Sequence, residues 1–296
     1  MAERTRDITK KREQRYSYGL TLLRECIEKK RPFADAHRPG VQDSIPLRLE
    51  NISLAFGKIE ALIQVYIELK EGEILAIIGP NGAGKTSLLN VISGFYHPQE
   101  GEVLFQGRRI THLSSHKIAG LGLCRTFQNI ALYNGLSVLD NIIVGRHPFI
   151  DYNFITGMIY FPWANHEEVK QRAIAEDIID FLELEHVRGS GVGTLAYGLR
   201  KRVELGRALA LEPRVLLLDE PMAGMNLDEK EDMARFIIDI NEFLRIPIVL
   251  IEHDMGVVMD IADRIVVLDF GHEIAEGPPE KIKGDPKVIA AYLGEG

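Results

Sequence analysis

From Leu47 onward the chain falls into short apolar runs divided by polar stretches. LRLENISLAF (47–56) and IQVYIEL (63–69) interleave apolar and polar positions as β-type runs do, and EILAII (73–78) is almost wholly apolar. VLLLD (215–219), IPIVLI (246–251) and RIVVLD (264–269) are continuous apolar runs, separated by helical stretches such as EKEDMARFIIDINEFL (229–244). Uninterrupted strands alternating with helices predict a parallel sheet covered on both faces, hence an α/β fold. Between them, about residues 112–210 read as helix-rich. The first 31 residues differ: they are basic, with Leu20, Leu23 and Ile27 at helical spacing, and RPFADAHRPG (31–40) reads as a linker. This extension is either a solvated tail with one packed turn or a contact for anionic lipid or a partner.

EILAII runs directly into GPNGAGKTS (79–87), which satisfies G-x-x-x-x-G-K-[ST] with Gly79, Gly84, Lys85 and Thr86. Pro80, Asn81, Gly82 and Ala83 fill the interior of this loop and Ser87 follows it. Glycines let successive backbone N–H groups turn toward phosphate oxygens, and a helix starting near Lys85 adds the positive end of its dipole. Lys85 supplies a point charge to the β- and γ-phosphates; the Thr86 hydroxyl is a hard oxygen donor suited to Mg²⁺. The pattern predicts a nucleoside triphosphate site. VLLLDEP then delivers Asp219 and Glu220 to the carboxyl edge of the sheet, where ligands of open α/β folds bind. Such acids also serve as ordinary helix caps; beside a phosphate loop, Asp219 is expected to hold Mg²⁺ and Glu220 to act as general base on water. His253 ends the next strand at the same edge, a γ-phosphate contact or a structural histidine.

Composition narrows the class. With 296 residues, 46% hydrophobic and 26% charged, the chain is of globular type. A net charge of −8 argues against general nucleic-acid binding, and no nucleic-acid partner is expected. No run is long enough for a membrane span and the N-terminus has no signal-peptide core, so a cytoplasmic location is expected. Cys26 and Cys124 have no metal-type spacing.

In this order the motifs resemble the nucleotide-binding subunit of ATP-binding-cassette (ABC) transporters, from about residue 47 to the end. The resemblance implies a P-loop ABC nucleotide-binding domain over 46–296, with a RecA-like core, an antiparallel β subdomain, an α-helical subdomain at about 119–200 and a short C-terminal segment at about 271–296, preceded by an extension and linker over 1–45. LAYGL falls where the family carries its LSGGQ-type loop, which places Leu195, Ala196, Tyr197 and Gly198 on ATP held by a second ATPase subunit, identical or related. Gly198 is read as the centre of a flexible loop leading a basic helix. Ala196 replaces a serine and Leu199 a glutamine, so contact there would rest on backbone N–H groups. Gln128 in RTFQN fits the glutamine loop, a Mg²⁺ contact, and Phe56 fits the aromatic that stacks on adenine. Asn226 in AGMN stands where many relatives have Asp. GFYHPQEG, RTFQN, LAYG, IEHDM and VIAAYLGEG are similar to ATPase subunits of branched-chain amino acid importers, with urea and amide importers as competitors. The resemblance implies ATP hydrolysis with Mg²⁺ at the cytoplasmic face of the cell membrane, transmembrane permease subunits as partners, and an external solute-binding protein acting indirectly. The aromatic run 146–164, with Trp163, either fills the helical subdomain or grips a permease helix.

Overall fold

The computed structural model describes residues 45–126, 131–149 and 162–293, without the side chains of 162–168 and 293. Those residues fall into two compact units, one built from 45–126 and 213–293, the other from 131–149 and 162–212.

The first unit holds two sheets. β1 (Leu47–Phe56), β2 (Ile59–Leu69), β4 (Glu100–Phe105) and β5 (Arg108–Arg109) form an antiparallel sheet in the order β2-β1-β4-β5. The second sheet runs β10-β9-β3-β8-β7-β6, built from β3 (Ile74–Ile78), β6 (Leu123–Arg125), β7 (Val215–Asp219), β8 (Ile248–Ile251), β9 (Arg264–Asp269) and β10 (His272–Gly277). All its pairs are parallel except the hairpin of β9 with β10 at one edge. The apolar runs are explained by burial on both faces. Leu75 and Ile77 of β3 join Leu47, Leu49 and Val65 of the antiparallel sheet in one core, whereas Ala76 and Ile78 point the other way into a second core with Val258, Ile282 and Val288. The two-residue period of a strand therefore persists, with both faces buried.

Helices of this unit are α1 (Lys85–Ile92), α2 (Ser115–Gly120), α6 (Leu227–Leu244), α7 (Met255–Ile261), α8 (Pro279–Lys283) and α9 (Pro286–Leu293). Asn226 caps α6 through a reciprocal capping box: its side chain accepts from the Glu229 N–H, and the Glu229 carboxylate accepts from the Asn226 N–H. The aspartate-to-asparagine difference at this position thus keeps a good N-cap.

The second unit is helical: α3 (Val138–Gly145), α4 (Pro162–Phe181) and α5 (Tyr197–Leu209). Arg146 is buried at its centre, paired with Glu212 at 2.6 Å and donating to Gln171 and the Ala210 carbonyl. Its guanidinium also lies over the Phe149 ring. The basic extension and residues 150–161 of the aromatic run lie outside the described residues, as does the Trp163 side chain.

Candidate functional site

The loop 79–84 is forced into shape by its glycines. Gly79 has φ 151°, and a Cβ there would lie 2.0 Å from the Leu268 carbonyl oxygen. Gly84 has φ 105°, and its Cβ would meet the Ala61 carbonyl oxygen at 2.5 Å. Only glycine fits either place, and the left-handed turns bring the chain directly into the first turn of α1. Lys85, buried at the start of that helix, folds its ammonium back into the loop and donates to the carbonyls of Gly79 (2.5 Å) and Pro80 (2.7 Å). Thr86 is exposed beside it. One cation, a run of turned amides and a helix N-terminus make this loop a polyanion cradle.

β7 and β8 are parallel neighbours, with Asp219 in register with Ile251, so their ends present side chains to one edge. Glu220 leaves β7 with φ 48°, a left-handed conformation unusual for a glutamate, stabilised by its N–H donating to the Ile251 carbonyl at 2.9 Å. That turn brings Glu220 Oε1 to 2.7 Å from His253 Nε2. A carboxylate only accepts, so the imidazole donates. Glu252 reinforces the junction: Oε1 accepts from the Met222 N–H at 2.7 Å and Oε2 from the His253 N–H at 3.1 Å. Burial pushes the Glu252 carboxyl above the usual range, while those two N–H bonds pull it back. Asp254 caps α7 and takes Lys230 Nζ at 2.6 Å, which holds its carboxyl below the usual range.

Asp219 is 2% exposed and forms an ion pair with Arg125, Nη2 to Oδ2 at 2.7 Å. The other end of the same guanidinium donates to Asn90 Oδ1 (2.7 Å) and Ser93 Oγ (3.1 Å), on and just after α1. Among the described residues no three His, Cys, Asp or Glu side chains gather as a metal cage. One carboxylate and one hydroxyl nevertheless suit Mg²⁺, which takes few protein oxygens and fills its octahedron with phosphate and water. Thr86 and Asp219 are oxygen donors of the kind that ion takes. Cys124 is buried, and burial pushes its thiol up to about 12.

At the end of β1, Phe56 is 47% exposed, and its ring meets that of Tyr96 in a T-shaped contact, with centroids 5.1 Å apart and planes at 73°. The pair is an exposed aromatic platform.

In the helical unit, Tyr197 and Gly198 are not loop. They form the first turn of α5, where the Arg200 N–H donates to the Ala196 carbonyl, and Gly198 is buried; only Leu195 and Ala196 precede the helix. The expectation of a loop centred on Gly198 is corrected accordingly. Ala196 is the N-cap residue and offers no side-chain acceptor, so the first-turn amides carry no side-chain cap. Asn141, fully buried, holds 133–137 by accepting from the Tyr133 N–H and donating to the carbonyls of Tyr133 and Ser137, which leaves Tyr133 exposed.

Of the residues expected from sequence, Gly79 to Ser87, Asp219, Glu220 and His253 lie in the sheet unit on the carboxyl ends of β3, β7 and β8, and Phe56 ends β1 of the same unit. Leu195 to Gly198 lie in the helical unit. Gln128 lies outside the described residues. Sequence reasoning missed Arg125, Tyr96, Asn90 and Glu252; Arg125 and Tyr96 sat inside quoted motifs, RTFQN and GFYHPQEG, without a role.

A family described as ABC transporter matches residues 62–223, and one described as branched-chain amino acid ATP-binding cassette transporter matches residues 273–296. The chain belongs to the ABC transporter family. It is 38% identical to the high-affinity branched-chain amino acid transport ATP-binding protein BraF of Pseudomonas aeruginosa, over 84% of this chain and 98% of that protein. A solved ADP conformation of an ATP-binding cassette of an ABC transporter superposes with a TM-score of 0.74 at 34% identity, covering 84% of this chain and 99% of that one. A dimeric post-hydrolysis cassette bound to ADP and Pi gives 0.66 at 26% identity, over 79% and 98%. The cassette is thus an ATP-hydrolysing subunit of a transporter, and its P-loop fold is the one its sequence predicts. No helix among the described residues is long and apolar enough to cross a membrane.

Proposed function

We propose that this cassette powers import of branched-chain amino acids, closing with a second cassette around ATP and Mg²⁺ at the cytoplasmic face of the membrane while bound to transmembrane permease subunits. A solute-binding protein outside the membrane would deliver the solute to the permease. The observation that carries the catalytic part is the convergence of the Gly79–Thr86 cradle with the Glu220–His253 pair on one sheet edge. The solute rests on the match of residues 273–296 and on the names of relatives such as BraF.

In this reading adenine stacks on Phe56, and the phosphates lie in the loop with Lys85 and the amides of α1 opposing their charge. Thr86 and Asp219 would hold Mg²⁺, which when bound neutralises charge on the phosphates; Gln128 is proposed as a further contact. Water attacks the γ-phosphorus in line, the bond to the ADP oxygen breaks, and the water's proton passes to Glu220. His253 donates to Glu220 and keeps that carboxylate turned to the edge; with ATP bound, the same N–H would turn from Glu220 to a γ-phosphate oxygen. Leu195, Ala196, Tyr197 and Gly198 of the second cassette would present the uncapped amides of its α5 to that phosphate. Exposed Tyr133, held by Asn141, is the proposed permease contact.

Reconstitution with the copurifying permease and a solute-binding protein tests the reading. ATP-dependent leucine uptake is expected. Uptake of urea or short amides, with none of leucine, would replace the solute assignment; absence of any copurifying membrane protein would reject the transport role proposed for this chain.

A further inference from the structure

Arg125 is placed where a cation should weaken the very site it borders. Both ends of its pair with Asp219 are buried, with the side chains 7% and 2% exposed, so solvent screens little of their interaction. The guanidinium is not simply collapsed onto the carboxylate. Asn90 and Ser93 hold it from the opposite side through Nη1, one in the last turn and the other at the C-cap of the helix that begins at the phosphate loop. Asn90, Ser93 and Asp219 thus fix the one positive charge of Arg125 against one oxygen, Oδ2, of the proposed metal-binding carboxylate.

We propose that Arg125 is the resident counter-ion of Asp219: it neutralises and orients this carboxylate before Mg²⁺ arrives, and its fixed charge sets how weakly the site then holds the metal. This rests on the reading that Asp219 helps bind Mg²⁺. A buried carboxylate without a partner is costly, so without Arg125 the metal-free cassette would carry an uncompensated charge at the heart of the site. With Arg125 in place, an arriving divalent cation finds the carboxylate already matched and meets a like charge, which lowers affinity. Such a site releases metal with its nucleotide rather than retaining it. Arg125 is a positioning residue in this scheme, since it acts through Asp219.

The test is a titration of Mn²⁺, as a spectroscopic substitute for Mg²⁺, into the full-length cassette saturated with ADP, with free Mn²⁺ read by electron paramagnetic resonance. Arg125→Gln keeps a hydrogen-bond donor and removes the charge; it is expected to bind Mn²⁺ roughly tenfold tighter than the parent. Arg125→Lys keeps the charge and is expected to match the parent. Introducing Asp219→Asn beside Arg125→Gln should erase the gain. Parent-like or weaker Mn²⁺ binding by the Gln variant would overturn the proposal, as would an equal gain in the Lys variant. If Asp219→Asn alone leaves Mn²⁺ affinity unchanged, the assignment of Asp219 as a metal ligand fails and the proposal falls with it. A normal loss in Asp219→Asn with no gain in Arg125→Gln would overturn the counter-ion role alone.

Discussion

Glu220 Oε1 and His253 Nε2 meet at 2.7 Å across the ends of adjacent parallel strands. Their pairing depends on the left-handed backbone at Glu220, without which the carboxylate would continue along β7. His253→Ala removes the donor that orients Glu220 while leaving the cradle intact. Nucleotide affinity of the assembled transporter should stay near normal and phosphate release should fall by about a hundredfold, the scale of losing one positioned donor. Unchanged turnover would reject the role.

Phe56 and Tyr96 form a T-shaped pair on the surface, and Phe56 is half exposed, as a ring that stacks on a base must be. Phe56→Ala should weaken ATP binding by roughly tenfold, within the range expected for one aromatic stacked on a base. Tyr96→Ala should cost only a few-fold, because it removes a neighbour of the stacking ring and not the ring itself, and Tyr96→Phe should cost nothing. Fluorescent-nucleotide titration reads all three. Wild-type affinity in Phe56→Ala would place adenine elsewhere.

Asp177, on α4, is held in an unfavourable setting. One of its oxygens, Oδ2, is buried without a hydrogen-bond partner among the described residues, and burial, with Asp180 and Glu176 adding like charge, raises its carboxyl to about 6. The folded state therefore binds this proton more tightly than the unfolded chain, so the favourable contribution is complete below the ordinary carboxylate range and is lost as pH rises through about 6. Asp177→Asn should raise the melting temperature at pH 7.5, by an amount that shrinks toward pH 4. Melting curves across that range check it; a gain independent of pH, or a loss at pH 7.5, would contradict it.

The cradle was legible because its chemistry demands particular residues in one unbroken stretch, from Gly79 to Thr86. β3, β7, β8 and β9 were legible because burial on both faces leaves no polar position to interrupt them. Arg125 was not, since its meaning lies in a contact 94 residues away, and Glu252 was not, since it binds a backbone N–H 30 residues away. Nothing local distinguishes either from a surface charge. The start of α5 was misplaced for a different reason: Ala196 occupies the N-cap, so the Ser, Thr, Asp or Asn that usually announces a helix is missing.

Single-turnover hydrolysis by Glu220→Gln, measured in the purified transporter beside direct ATP binding, tests the catalytic assignment most directly. ATP should bind as tightly as to the parent while its cleavage slows by roughly a hundredfold or more, the usual contribution of a general base. Cleavage at the parent rate would show that the Glu220 carboxylate takes no proton from the attacking water.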